Sequence, residues 1–519
     1  MLTSGLRTGS VICFALSAIG YTSALAAPRP HDQEVKKALD TQITEILAEP
    51  KLSGAKVGVY VERLDDRFPL YSKDGDQKLI PASNVKLVST AAALHHLMPD
   101  YRFKTDVFCQ VDESGVVEGN LALKGYGDPY LIPERLWYLA TRIYYSGVRE
   151  IKGGIVVDDS YFEGPRMANG WEQDRSSFAY MAPVGAVSLG FNALLVHVLP
   201  GPIGGAAKVW IDPASDYATL DAKVETIDKG RTDVDVEVVT EKNKQIVRVS
   251  GKITKKDSGR GWWRKIDNPP VFTGEVLKTM LAQLGVRVRG TVKVGNAPAE
   301  QTPFVSMASP RLGEVIDKVN KNSNNFMAEM IAMGLGAETF GAPASWTKAE
   351  NAITSFLVND VGIKAGSFDI KNASGLHDVN RFSPHHLVQV LGYMYGERKV
   401  RPEYMASFAI AGAAGTLNSR MKQSDATYLV RGKTGTLSNA SALSAYVVSK
   451  SGEMIAFSIL VNDFKASIDE IWAVQDKLAL LLAATSFDDA APTPSLPVSA
   501  VTPANTAGAS ATAGASNVP

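Results

Sequence analysis

The sequence predicts an α+β fold in which a strand-rich region interrupts a domain of mixed helices and strands. Two observations lead there. Toward both ends of the chain, amphipathic or apolar helices flank pairs of apolar strands. Between them lies a stretch of hairpin patterns separated by segments rich in Gly, Pro and Asp.

Residues 32–47 carry Val35, Leu39, Ile43 and then Ile46 or Leu47 at helical spacing, which marks an amphipathic helix. Residues 56–63 alternate as a strand, and residues 68–72 can pair with them. Pro81 opens the next helix, because a first-turn residue needs no partner for its N–H. The Ala- and Leu-rich run 87–94 continues that helix without Gly or Pro and reads as buried. After Tyr101 the character changes. Residues 103–111 and 116–123 read as strands joined across Glu113-Ser114-Gly115, residues 134–147 as a helix, and 155–157 as a strand. A second hairpin, 234–239 with 246–249, turns at Glu241-Lys242-Asn243-Lys244. Helical periodicity returns at 272–284, 312–319 and 326–335. Strands follow at 428–430, 442–449 and 454–462, and a long amphipathic helix at 468–482 closes the fold. The expected organisation is a main domain of residues 27–100 plus 266–485, with 101–265 inserted as two small strand-rich domains. Beyond Ser486 the chain turns to Ala, Pro, Thr and Ser, a composition that cannot bury enough surface to fold, so 486–519 is expected to be a disordered tail.

Residues 1–26 have the pattern of a secretion signal, with Arg7, an apolar middle at 11–19 and a small-x-small site at Ala24-Leu25-Ala26. That run is shorter than the about 20 residues a membrane anchor needs, so an exported chain without an anchor after cleavage is expected. Cys13 leaves with the signal, which keeps only Cys109 and excludes an internal disulfide. With 54 basic against 54 acidic residues the formal net charge is zero, and nucleic acid is not expected as a partner.

Three motifs carry the chemistry. Ser83-Asn84-Val85-Lys86 places a hydroxyl and an amine three residues apart on one helical face. A hydroxyl is a poor nucleophile near neutral pH until a base takes its proton, and a neutral lysine one turn away can do so. A solvated lysine has a pKa near ~10.4, so the site must desolvate Lys86 or set another cation beside it. The same S-x-x-K spacing occurs at Ser53 with Lys56, Ser345 with Lys348, and Ser419 with Lys422. Ser83 differs by heading an apolar helix and by preceding two later motifs. Ser323-Asn324-Asn325 lies between two apolar helical segments, and no other S-x-N occurs. It is either a helix cap or a hydroxyl that relays a proton beside an amide that binds a peptide bond. Lys433-Thr434-Gly435, likewise the one K-T-G, is either an edge strand with a surface lysine or the missing cation. In the second case Gly435 admits a substrate backbone. No His/Cys/Asp cluster has metal-ligand spacing, so no metal and no cofactor is expected.

In this order the three motifs resemble the penicillin-recognising serine acyltransferases. The long insertion between the first two narrows the resemblance to the D-alanyl-D-alanine carboxypeptidase/endopeptidase family, the class C, penicillin-binding protein 4-like group of serine peptidase family S13. Gly125-Tyr126-Gly127-Asp128-Pro129, Ala182-Pro183, Asp267-Asn268-Pro269, Ala373-Ser374-Gly375-Leu376 and residues 412–417 match it further. The similarity runs from about residue 32 to 485. It implies a penicillin-binding transpeptidase/β-lactamase-like domain, with an antiparallel sheet of five strands between helices. It implies a periplasmic enzyme acting on peptidoglycan stem peptides and inhibited by β-lactams. Ser83 would be the nucleophile, Lys86 its base, Ser323 the proton relay to the leaving amine, and Asn325 a holder of the substrate amide. Lys433 would keep Lys86 neutral, Thr434 and Thr436 would grip the terminal carboxylate, and the N–H groups of Ser83 and Thr436 would form the oxyanion hole. One departure stands out. After Ser-Gly-Leu the family continues with Ser-Arg, whereas this chain has His377-Asp378. Recognition of the stem-peptide side-chain carboxylate is therefore expected to be lost or to fall to Arg381, with Asp158 or Asp159 placed to hold the side-chain ammonium. A serine β-lactamase lacks so long an insertion, and a silent wall-binding module need not keep Ser83, Lys86, Ser323 and Lys433 together.

Overall fold

The computed structural model describes residues 30–488, apart from 173, 175, 242 and 243. The expected signal, the tail beyond residue 488 and two residues of the second hairpin turn lie outside the described residues.

Helix Pro30–Leu47 buries Val35, Leu39, Ile43, Ile46 and Leu47, the stripe its spacing predicts. Strand Lys56–Arg63 pairs with Phe68–Lys73 on one side and, in unbroken register, with Met454–Asn462 on the other. The full sheet runs Ala409–Ile410, Val430–Leu437, Ala440–Val448, Met454–Asn462, Lys56–Arg63, Phe68–Lys73, and every pairing is antiparallel. It has six strands where the family resemblance implies five; the two-residue edge piece Ala409–Ile410 is too short to stand out in a sequence pattern. Strand alternation sorts the side chains. Val57, Val59 and Val61 meet Leu39, Ile43, Ile471 and Leu478 on one face. Ala442, Tyr446 and Leu460 meet helix Val85–Leu97 and its neighbours on the other. That helix is buried from Val85 to Leu94, which accounts for its lack of a polar face.

In the inserted region, strands Lys104–Phe108, Leu121–Gly125 and Ile155–Asp158 lie side by side. The strand expected at 116–123 is split. Asp112 Oδ1 accepts the Ser114 and Val116 N–H groups in a tight turn, and Val116–Val117 then leaves to pair with Glu150–Ile151. The hairpin of Asp233–Glu241 with Lys244–Thr254 is present and antiparallel. Strand pairing carries the inserted unit beyond the expected end at 265. Val292–Val294 pairs with Ile155–Asp158, and Val305–Ala308 with Lys104–Phe108. Helix Pro269–Gln283 adds Phe272, Val276 and Leu277 to the same continuous apolar cluster. Periodicity identifies that helix but does not say which sheet it covers.

One polar contact ties the sheet to the segment that leads into Ser83. Asn462, at the end of its strand, accepts from Ile80 N (2.7 Å) and donates to Ile80 O (3.1 Å). Asn462→Ala leaves both buried backbone groups without this partner, at about 1–3 kcal/mol for each. Urea unfolding should show that loss.

Candidate active site

The Ser83 turn is held from three sides. Pro81 caps a single 3₁₀ turn, Ala82–Asn84, that runs into helix Val85–Leu97. Ser83 therefore stands on the turn, one step before the helix proper, and Lys86 lies in the first helical turn. Ala82 is left-handed, with φ +46°, a conformation that costs an L-residue about 1–2 kcal/mol. The surroundings offset that cost. Asn84 Nδ2 donates to Ser444 Oγ (2.7 Å), which donates to Ser458 Oγ (2.9 Å), a chain running across two sheet strands. A Cβ on Gly375 would sit 1.9 Å from Ala82 O, and one on Gly435 2.9 Å from both Pro81 O and Ser83 N. The close approach at Gly435 is thus made by the Ser83 turn, whereas the sequence reading assigns that demand to substrate.

The second motif occupies a left-handed junction. Ser323 (φ 57°, ψ 35°) ends helix Leu312–Asn322, and helix Asn325–Phe340 begins two residues later. The capping role belongs to Asn324, whose side chain accepts from Met327 N. This leaves Ser323 and Asn325 to turn toward the lysines. Lys433 Nζ donates to Ser323 Oγ (2.9 Å) and to Thr434 O (2.8 Å). Lys86 Nζ lies 3.0 Å from Ser83 Oγ and donates to Asn325 Oδ1 (2.7 Å) and Ser374 O (2.6 Å). Asn325 Nδ2 donates to Tyr180 O (3.3 Å), and Thr434 Oγ1 to Thr416 Oγ1 (2.7 Å). Thr436 is exposed on the same strand, Val430–Leu437. The edge strand engages this strand only at Arg431 and Gly432. Among the described residues, its outer edge from Lys433 onward is therefore open to an extended peptide.

Lys86 and Lys433 are both 0% exposed. Burial pushes the Lys433 ammonium down to about 7. Lys86 is held well below its ordinary range by burial and then by the Lys433 charge, with Glu329 acting in the opposite sense. A neutral amine has two N–H donors and one lone pair. Asn325 Oδ1 and Ser374 O take the two N–H groups, so the lone pair faces the Ser83 hydroxyl. This arrangement can remove the hydroxyl proton, the requirement for a serine nucleophile.

Sequence reading missed the groups behind this geometry. The Ser374 carbonyl, the Tyr180 carbonyl and Glu329 all bear on Lys86 or Asn325. Glu329 had a visible sign, a lone carboxylate inside the otherwise apolar run 326–337. Backbone carbonyls have no such sign. Two of the expected recognition residues are committed elsewhere. Asp158 accepts from Ser160 N and Oγ, Ala297 N and Lys124 Nζ, and Asp159 from Arg166 Nη1 (2.5 Å) and Val187 N (2.6 Å). Neither is a free carboxylate for a substrate ammonium, because buried acids must find partners within the fold. The Arg381 side chain donates to the Asp378 and Asn380 carbonyls of its own loop. No group of metal-ligating residues occurs among the described residues.

Fold and site together set a serine hydroxyl 3.0 Å from the amine of a buried lysine. The chain belongs to the D-Ala-D-Ala carboxypeptidase 3 (S13) family, whose profile matches residues 39–485, and it is a serine-type D-Ala-D-Ala carboxypeptidase. It is 33% identical to a D-alanyl-D-alanine carboxypeptidase of Actinomadura sp. (strain R39), covering 86% of this chain and 84% of that one. It is 23% identical to the carboxypeptidase DacB of Haemophilus influenzae over 79% of this chain and 86% of the relative. The crystal structure of penicillin-binding protein 4 from Haemophilus influenzae shares the fold, with a TM-score of 0.72 at 22% identity over 84% of this chain and 97% of that one.

A base role for Lys86 requires its neutral form, and it predicts that penicillin acylation rises with pH and levels off well below ~10.4, the value of a solvated lysine. Lys433→Ala removes a neighbouring cation, so Lys86 should hold its proton to higher pH and the rising limb should move upward. The pH dependence of penicillin acylation measures both.

Proposed function

We propose that Ser83 is the nucleophile and Lys86 the general base of a D,D-peptidase acting on peptidoglycan stem peptides and their cross-links. The observation that carries this reading is the Lys86 bond set, with two acceptors taking its N–H groups and Ser83 Oγ placed at its lone pair. Ser83 Oγ attacks the carbonyl of the penultimate D-alanine as its proton passes to Lys86 Nζ. The tetrahedral oxygen is held by the Ser83 and Thr436 N–H groups, a contribution of about 3–4 kcal/mol per donor in other acyl enzymes. The C–N bond then breaks, and the leaving amine takes its proton through Ser323, which Lys433 holds. Water hydrolyses the resulting ester and regenerates Ser83.

The substrate backbone adds along the open edge from Lys433 to Leu437, which leaves Thr434 and Thr436 to bind the terminal carboxylate. Carboxypeptidase and endopeptidase action differ only in what lies on the leaving side of this bond, so one site serves both. β-Lactams acylate the same serine; the Haemophilus influenzae protein of similar fold has been crystallised with one. The site of action is the periplasm, a reading supported by the signal-like pattern of residues 1–26.

Ser83→Ala should abolish both labelling by a fluorescent penicillin and release of D-alanine, with Tm unchanged. Loss of labelling in Ser345→Ala or Ser419→Ala instead would move the nucleophile elsewhere. In the wild-type protein the penicillin adduct should be long-lived. Rapid turnover of the drug would mark a β-lactamase.

A further inference from the structure

Glu329 is a carboxylate in the second turn of helix Asn325–Phe340, four residues after Asn325 and therefore on the same helical face. It is 1% exposed. Burying a carboxylate is costly unless it is paired or strongly hydrogen-bonded, so its partners should reveal its task. Oε2 accepts from Ala373 N (3.0 Å) and Oε1 from Ser374 N (2.9 Å). One carboxylate thus clamps two successive amides and fixes the plane of the peptide between them. The two carbonyls of the same residues point elsewhere. Ala373 O accepts from Ser89 Oγ (2.9 Å), on the Ser83 helix, and Ser374 O accepts from Lys86 Nζ (2.6 Å). Immediately after them, Gly375 (φ +76°) packs under Ala82 O.

We propose that Glu329 is a positioning residue for the acylation step: by clamping the Ala373 and Ser374 N–H groups it anchors the backbone that presents the Ser374 carbonyl, whose own peptide is held at Gly375 N by Asn372 Oδ1 (2.9 Å), and that carbonyl, with Asn325 Oδ1, takes both N–H groups of neutral Lys86 and aims its lone pair at Ser83. Helix Asn325–Phe340 thus supplies one acceptor directly through Asn325 and, through Glu329, anchors the backbone that carries the other. Together the two acceptors set the rotation of the base about its Cε–Nζ bond. Without the clamp, the amine could turn its lone pair away from Ser83 and donate an N–H to the hydroxyl oxygen, an orientation that removes no proton.

Burial pushes the Glu329 carboxyl up, while hydrogen bonds from Ser374 and Ala373 and the Lys86 charge oppose that shift; in its ionised form it has a second consequence. The charged groups acting on Lys86 are Lys433, from the strand, and Glu329, from the helix; Lys86 is the one acting on Glu329. The buried site thus contains two amines and one carboxylate, and a single shared proton on the amines leaves it neutral when Glu329 is ionised. The anion favours the protonated form of Lys86, opposing Lys433.

The inference rests on Lys86 acting as the base for Ser83. Its test is the pH profile of the penicillin acylation rate in wild type, Glu329→Gln and Glu329→Asp, with Tm measured for each. In Glu329→Gln an amide N–H₂ faces a backbone N–H, so the clamp is broken. Acylation should fall by about 10²-fold, the scale of a misplaced catalytic group. With the anion gone, the rising limb should also move about one pH unit lower. Glu329→Asp keeps the charge but withdraws it by one methylene; its rate should fall and its limb stay near that of wild type. A rate loss in Glu329→Gln with an unmoved limb would reduce Glu329 to a structural prop and overturn the proposal. Wild-type acylation in Glu329→Gln would overturn it too, as would failure of both variants to fold. None of these results touches the assignment of Ser83, which fails only if Ser83→Ala is still labelled.

Discussion

Removing Lys86 from water is the constraint on which the rest of this site depends. A lysine in solvent is protonated and useless as a base, whereas one that is 0% exposed beside a second buried amine is not. Burial alone would be a defect, since an unpaired polar group inside a protein is costly. Here every valence of the amine has a partner: Asn325 Oδ1, Ser374 O and the Ser83 hydroxyl. Lys433 obeys the same rule, donating to Ser323 Oγ and Thr434 O. The chemistry and the satisfaction of buried polar groups are one arrangement.

That arrangement requires backbone conformations the chain would not adopt locally. Ala82 and Ser323 are both left-handed without being glycine, and each such residue is worth about 1–3 kcal/mol of strain. Both stand at junctions where a functional side chain must leave the regular direction of a helix. The sheet supplies the compensation. Asn462 binds both backbone groups of Ile80, and the chain from Asn84 through Ser444 to Ser458 anchors the turn across two strands. Serines that look unremarkable in two apolar strands are thus part of the support for the Ser83 turn.

The inserted unit is more than an appendage. Trp171, Met181 and Ala182 belong to the apolar cluster around the Ser83 helix, not to the cluster of the inserted sheets. The Tyr180 carbonyl accepts from Asn325. A stretch of the insertion therefore closes one side of the site and fixes the amide that in turn holds Lys86. The two parts of the chain are coupled through Asn325, and mutations near Tyr180 should be read with that in mind.

How much of this was legible in the sequence depends on the range of the interaction. Helices and strands whose burial follows a short period were read nearly to the residue: Val35, Leu39 and Ile43 announced the first helix, and strands Lys56–Arg63 and Met454–Asn462 have the limits their patterns predicted. Motif order and family resemblance also single out Ser83, Lys86, Ser323, Asn325 and Lys433, which the fold brings into hydrogen-bonded contact. The sequence by itself determined which side chains carry reactive groups and which local elements bear them. Only the tertiary structure decided what those groups meet. That Asp158 and Asp159 spend their charge on internal partners, that Val305–Ala308 joins a sheet begun two hundred residues earlier, and that Glu329 and the Ser374 carbonyl stand behind Lys86 are facts of this kind. The physical reason is that desolvation and hydrogen-bond pairing are set by neighbours in space, and a backbone carbonyl 288 positions away along the chain has no residue type to betray it.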